Sequence, residues 1–199
     1  MSNDRSPSSA PSSTESNQRD PSRAPGRPSL GRFLWPAIVI AVVVGGLVWW
    51  GQSPEEGPFE GNRAPRFELM DRQGQLVHSA EFAGKPLFIN FWATWCEPCR
   101  YEMPEIQAVY DEWGGAFEVI AVSDEPLPTI ERYIDAYGYT FPVYVDADRS
   151  MHQDYLIRAM PTSVFVDARG IIRAVHLGQL TREQIEAYLA RIVPQAARP

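Results

Sequence analysis

The sequence predicts an α/β domain with a mixed central sheet, preceded by one transmembrane helix. Three observations carry this. Apolar strand-like runs alternate with helical patterns from about residue 64 to 157, which calls for strands joined by crossover helices. The chain then closes with a hairpin pattern and a last helix, which adds antiparallel strands to the same sheet. Ahead of both lies an unbroken apolar run over residues 33–50.

Residues 1–32 are rich in Ser, Pro and Arg, with few large apolar side chains. Such a segment cannot bury enough surface to offset chain entropy, so a disordered tail is expected. From Phe33 to Trp50 every residue is apolar, Gly or Pro, and no charge occurs between Arg32 and Glu55. Eighteen helical residues span ~27 Å, close to the hydrocarbon thickness of a bilayer. Pro36 falls in the first turn, where its missing N–H matters least. Trp35, Trp49 and Trp50 stand at the ends, as an interfacial aromatic belt requires. A buried core helix or a cleaved signal peptide are the rivals. The run ends in Trp-Trp-Gly-Gln without a small-residue cleavage signature, which favours an uncleaved anchor. Arg19, Arg23, Arg27 and Arg32 precede the span closely, whereas only Arg63 follows it at comparable distance. The positive-inside rule then puts the N-terminus in the cytosol and the rest outside, in an oxidising space if the host is a bacterium.

Residues 51–63 read as a linker and 64–199 as the globular domain. Phe67–Val77, with Asp71-Arg72-Gln73-Gly74 at its centre, reads as a hairpin, and a short turn follows at 79–84. Pro86–Trp92 is an apolar run suited to a strand buried on both faces. Met103, Ile106, Val109, Tyr110 and Trp113 keep helical spacing over 98–113. A buried strand at 117–122, a helix through Ile130, Tyr133, Ile134 and Tyr137, a strand at 141–145 and a short helix at 151–157 follow. Residues 162–166 and 171–177 form a hairpin, and Thr181 with Gln184 makes a capping box for a last helix carrying Ile185, Tyr188, Leu189 and Ile192.

The first 32 residues hold five Arg against three acids, and the remainder holds 13 Lys+Arg against 22 Asp+Glu. An acidic main domain argues against nucleic acid as partner. The two cysteines stand as Cys96-Glu97-Pro98-Cys99, where a buried strand ends and a helix begins. The N–H groups and dipole at a helix N-terminus favour thiolate, the species that attacks disulfides. Cys96 is therefore the candidate attacking sulfur and Cys99, one turn in, the resolving one. A zinc site would need four ligands, and the chain offers only His78, His152 and His176 besides the pair, with no ligand-like spacing. His152 and His176 are expected to be ordinary surface residues.

Glu102 shares a helical row with Ile106, Val109 and Trp113. Burial there would raise its pKa and make it a candidate to exchange the Cys99 proton. The plainer reading is a first-turn acid favoured by the helix dipole. Pro161 opens a strand pattern and fits either a trans edge or a cis turn. Glu97 puts negative charge beside the thiolate, which leans toward a reductant. Trp92 and Trp95 read as strand and rim packing.

The stretch Phe91-Trp92-Ala93-Thr94-Trp95-Cys96-Glu97-Pro98-Cys99-Arg100-Tyr101-Glu102 resembles the active site of the thioredoxin superfamily, and specifically its ResA/TlpA/CcmG branch of anchored reductases. The resemblance covers about residues 64–193. It implies a thioredoxin fold with an N-terminal hairpin extension and a strand–helix insertion around 141–157. It also implies a cis Pro161 facing the cysteines, an acid at Glu102, and no cofactor beyond the cysteine pair. Cytosolic thioredoxins bury an Asp where Asn90 stands, a departure that fits the anchored branch. Members of this branch reduce protein disulfides, many of them in cytochrome c maturation on apocytochrome c, others in copper-site assembly. A membrane thiol-transfer protein would supply their electrons. A peroxidase would need Thr at position 93, where Ala93 stands. A copper-delivery module would pair the cysteines with a metal-binding His.

Overall fold

The computed structural model describes residues 31–50 and 54–199. The expected disordered tail lies outside the described residues but for its last two. The described residues fall into two units, one holding residues 31–50 and the other residues 54–199. In the first, helix α1 spans Gly31–Trp50, with Pro36 inside it. Its described side chains, among them Trp35, Ile38, Val42 and Val44, are exposed. Among the described residues, no helix is long and apolar enough to cross a membrane.

The second unit holds a seven-stranded mixed sheet in the order β2-β1-β5-β4-β3-β6-β7. Its strands are β1 (Glu68–Met70), β2 (Leu76–His78), β3 (Leu87–Phe91), β4 (Glu118–Ser123), β5 (Val143–Val145), β6 (Thr162–Val166) and β7 (Ile172–Leu177). The helices are α2 (Glu97–Trp113), α3 (Leu127–Tyr137), α4 (Ser150–Asp154) and α5 (Arg182–Ile192). β3, β4 and β5 run parallel, while β1 and β2 at one edge and β6 and β7 at the other are antiparallel additions.

The pattern of side chains explains the layers. Every residue of β3 and β6 is buried, as strands covered on both faces require. Phe88, Val119, Ala121 and Phe165 pack with Met103, Ile106 and Val109 of α2, Ile130 and Ile134 of α3, and Ile185 and Leu189 of α5. Their strand neighbours Ile89, Phe91, Ile120, Val122 and Val164 point the other way and meet Leu69, Met151 and Tyr155. The Thr181 side chain accepts the Gln184 N–H, and the Gln184 side chain accepts the Thr181 N–H, so the expected capping box opens α5. Met103, Ile106 and Val109 keep α2 intact across Pro104, which has no N–H to give the Arg100 carbonyl.

Two expectations change. Residues 55–63 of the expected linker are bound to the domain. From Glu55 onward the segment folds back on itself, with Arg63 N–H donating to the Glu55 carbonyl, and it meets the start of β7 where Gly61 N–H donates to the Ile172 carbonyl and Ile172 N–H to the Asn62 carbonyl. An edge strand leaves N–H and C=O groups unpaired, and Gly61 and Asn62 satisfy those of Ile172. The strand–helix insertion is also shorter than expected, because Tyr155 and Leu156 leave the helix and Leu156 adopts a φ of 54°.

Candidate active site

α2 begins with Cys96 as its N-cap, in extended conformation, and the Cys99 N–H donates to Cys96 Sγ at 3.3 Å. A sulfur here takes the place of the oxygen that Ser or Asp usually brings to a helix start. Pro98 sits in the first turn, where helix N–H groups have no partner in any case. Cys96 and Cys99 are joined by a disulfide with Cα atoms 5.3 Å apart. Cys99 is buried, and Cys96 is only 5% exposed in this oxidised state. Trp95 beside it is 71% exposed, so the indole stands at the rim and is not packed. Trp92, by contrast, is fully buried. Glu97 is exposed and accepts the Tyr101 hydroxyl at 3.5 Å.

Strand register brings Pro161 to this end of the sheet. Phe91 of β3 pairs with Thr162 of β6, so the residue before Thr162 lies level with the turn from β3 into α2. The Met160–Pro161 peptide is cis, the alternative that the family resemblance implies and that spacing alone left open. Trp95 and Met160 line one cleft.

Glu102 is 1% exposed, on the face of α2 that carries Met103, Ile106 and Val109 into the core. Asn90 Nδ2 donates to its Oε1 at 3.2 Å, and the Ser163 hydroxyl donates to the same oxygen at 3.3 Å. Oε2 has no hydrogen-bond partner. Burial penalises the carboxylate and pushes the Glu102 pKa up to about 8, with the Ser163 hydroxyl and the Leu180 backbone pulling weakly the other way. A first-turn surface acid would show none of this. Asn90 also donates to Ser163 Oγ at 3.0 Å, and the two are direct partners across β3 and β6. Asn90 was singled out in the sequence; Ser163 was not. Its signal is a polar residue in the apolar run Thr-Ser-Val-Phe-Val, which needs a buried partner.

Glu125 was likewise overlooked. Its carboxylate accepts the Thr94 N–H at 2.6 Å and the Thr94 hydroxyl at 2.7 Å. This ties the loop before Cys96 to the end of β4. The Thr94 hydroxyl is therefore engaged away from the cysteines, and Ala93, where a peroxidase needs Thr, is fully buried.

His152 is no surface residue. It is 2% exposed, and its Nδ1 lies 2.6 Å from Asp146 Oδ2. Burial alone would raise the Asp146 pKa. Hydrogen bonds from the His152 side chain and from the His152 and Met151 N–H groups outweigh it and hold the carboxyl below its ordinary value. His176 approaches the Tyr188 hydroxyl at 3.3 Å, and His78 pairs with Glu68. Among the described residues, no group of three His, Cys, Asp or Glu is placed to hold a metal ion.

Comparison with known proteins agrees with this geometry. Residues 61–175 match the AhpC/TSA family. The chain is 37% identical over 138 residues to the thiol-disulfide oxidoreductase ResA of Halalkalibacterium halodurans, covering 68% of this chain and 78% of that one. Among solved structures it is similar to a thiol:disulfide interchange protein of the thioredoxin family from Chlorobium tepidum, with 29% identity, 68% and 99% coverage and a TM-score of 0.59. It is also similar to StoA from Bacillus subtilis, with 26% identity, 62% and 96% coverage and a TM-score of 0.55.

Proposed function

The chain belongs to the AhpC/TSA family and, within it, to the ResA-type thiol–disulfide oxidoreductases, and on that premise we propose that it is an extracytoplasmic reductase of protein disulfides in cytochrome c maturation. Its substrates are disulfide-bearing proteins, and a chain with two cysteines has one pair with which to act on them. The observation that carries the reading is the Cys96–Cys99 disulfide at the start of α2, with a buried carboxyl one turn further in.

In this reading the Cys96 thiolate attacks one sulfur of a client disulfide. A mixed disulfide forms, and the client's second sulfur leaves as thiolate. Cys99 loses its proton to the Glu102 carboxylate and attacks Cys96 Sγ. The client sulfur still bonded to Cys96 leaves and takes a proton, and two electrons have passed from enzyme to client. A carboxyl with a pKa near 8 is well matched to a thiol for this transfer. Pro161 and Trp95 bound the surface that the client chain meets, and Pro98 starts the helix that orients both sulfurs.

The direction follows from what stabilises the thiolate. A strong oxidant owes its potential to a stabilised reduced form. Here the donor to Cys96 Sγ among the described residues is the Cys99 N–H. No Lys, Arg or His among them donates to it, and Glu97 places negative charge nearby. This setting supports a thiolate that is weakly stabilised on reduction, as a reductant needs. Supply of electrons falls to a membrane thiol-transfer protein, since the space outside the membrane is oxidising.

Residues 33–50 would anchor the protein in the bacterial cytoplasmic membrane, with residues 1–32 in the cytosol. The apolar run without charge supports this, as do the arginines ahead of it. A role in copper-site assembly of cytochrome oxidase is the other pathway open to the same chemistry. Trapping separates the steps and names the client. Cys99→Ser should accumulate mixed disulfides through Cys96, and Cys96→Ser should accumulate none. Identification of apocytochrome c in the trapped species would support the maturation pathway; equal trapping by both variants would refute the assigned order of attack.

A further inference from the structure

A cleft opens beside the cysteine pair. Trp95, next to Cys96, and Met160, next to Pro161, form one end of it. Arg149, Ile157 and Arg158 wall it, and the same three residues wall a second hollow that runs on to His152. Both arginines therefore come from the segment between β5 and β6, which leads into the cis proline.

Their charge stands against its surroundings. Beyond residue 32 the chain holds 13 Lys+Arg against 22 Asp+Glu. One carboxylate, Asp124, lines the cleft, and it is bound to Arg149 at 2.8 Å. Arg158 has no ion pair or side-chain hydrogen bond among the described residues. At the far end, His152 Nε2 is buried without a hydrogen-bond partner, while Nδ1 is held by Asp146. The nearby acids are engaged elsewhere or stand outside this lining: Glu125 accepts from Thr94, and Glu97 belongs to the first turn of α2.

We propose that this cleft docks an acidic stretch of the client polypeptide flanking the disulfide under attack, with Arg158 as the main carboxylate contact and Arg149 as the second. A guanidinium presents a planar fork of N–H donors that matches a carboxylate, so an unpaired one in the cleft that Trp95 and Met160 share selects for acid and against base. A client chain crossing Trp95 and Met160 to reach Cys96 runs on over these arginines. The inference rests on the reading of the cysteine pair as a disulfide reductant and specifies which disulfides it prefers.

The test uses the reduced full-length chain in detergent micelles and two synthetic disulfide peptides, identical except for Glu or Lys beside the cysteines. The Glu peptide should be reduced about 10-fold faster at low ionic strength, the range expected when a charged cleft steers its substrate. The gap should shrink above roughly 0.5 M salt, where screening is short-ranged. Arg158→Gln should narrow the preference and Arg158→Glu should reverse it, a result that loss of folding cannot produce. Arg132→Glu makes the same charge change on the exposed side of α3 and should leave the preference as it was. Equal rates for the two peptides, or an equal shift from Arg132→Glu, would overturn the docking site while leaving the reductase intact. Reduction of neither peptide would overturn the reductase reading and this inference with it.

Discussion

At the scale of single residues, Glu102 makes the sharpest demand. Its folded-state pKa lies near 8 against an ordinary value of 4.5, so folding favours the protonated form. The stability tied to that proton is fully present below the unfolded value and is lost as pH rises through the folded one. Between these limits the loss approaches 1.4 kcal/mol per pH unit, on the order of 5 kcal/mol in all. Glu102→Gln keeps the shape and removes the titration. Urea unfolding of the oxidised protein at pH 5 and pH 9 should therefore show a smaller difference for the variant than for wild type. The variant should also be the more stable of the two at pH 9. The same substitution should slow reduction of a protein client and move the pH profile of thiol alkylation, because the acid and the cysteines titrate as a coupled set. Superimposable alkylation profiles would remove Glu102 from the proton path and leave it a structural acid. The position of Glu102 among apolar residues was legible in the sequence. Its partners Asn90 and Ser163 were not, since only strand register sets them opposite one another.

At the scale of elements, polar groups hold the ends of helices near the site. Asp146 follows β5 and accepts the Met151 and His152 N–H groups, the Ser150 hydroxyl and His152 Nδ1, so one carboxylate anchors the start of α4. Its pKa is depressed, so its contribution is present above the unfolded value and is lost as pH falls through the folded one. Asp146→Asn should cost about 2–4 kcal/mol near neutral pH, the range for breaking a buried charge-assisted network. The loss should be smaller in acid, where the wild-type carboxyl is itself protonated. A flat difference across pH would remove its charge from the account. Thr181→Ala removes the side-chain acceptor of the capping box on α5 and should cost about 1 kcal/mol, read as a shift in urea midpoint without a change in slope. The capping box was legible because both its residues are local in sequence. The Asp146–His152 pair was not, because nothing in the sequence marks a histidine of a one-turn helix as buried.

At the scale of the whole molecule, the charge asymmetry around residues 33–50 motivates a topology test. A reporter active only outside the cytosol, fused after Trp50, should be active in a bacterial host. Activity of a cytosol-only reporter at the same place would reverse the orientation. What the sequence by itself determined is whatever depends on local pattern. Strand and helix identities follow from apolar periodicity, the α5 start from Thr181 and Gln184, and the candidate sulfurs from a cysteine pair at a strand–helix junction. The tertiary structure alone decided what depends on register and burial. It set Asn90 against Ser163 with Glu102 above them, tied Thr94 to Glu125, and bound Gly61 and Asn62 to the start of β7. It also buried His152 and gathered Arg149 and Arg158 beside Trp95. The physical reason is that hydrophobic periodicity encodes which face of an element is covered, while partners across a sheet or loop are chosen by how distant elements pack.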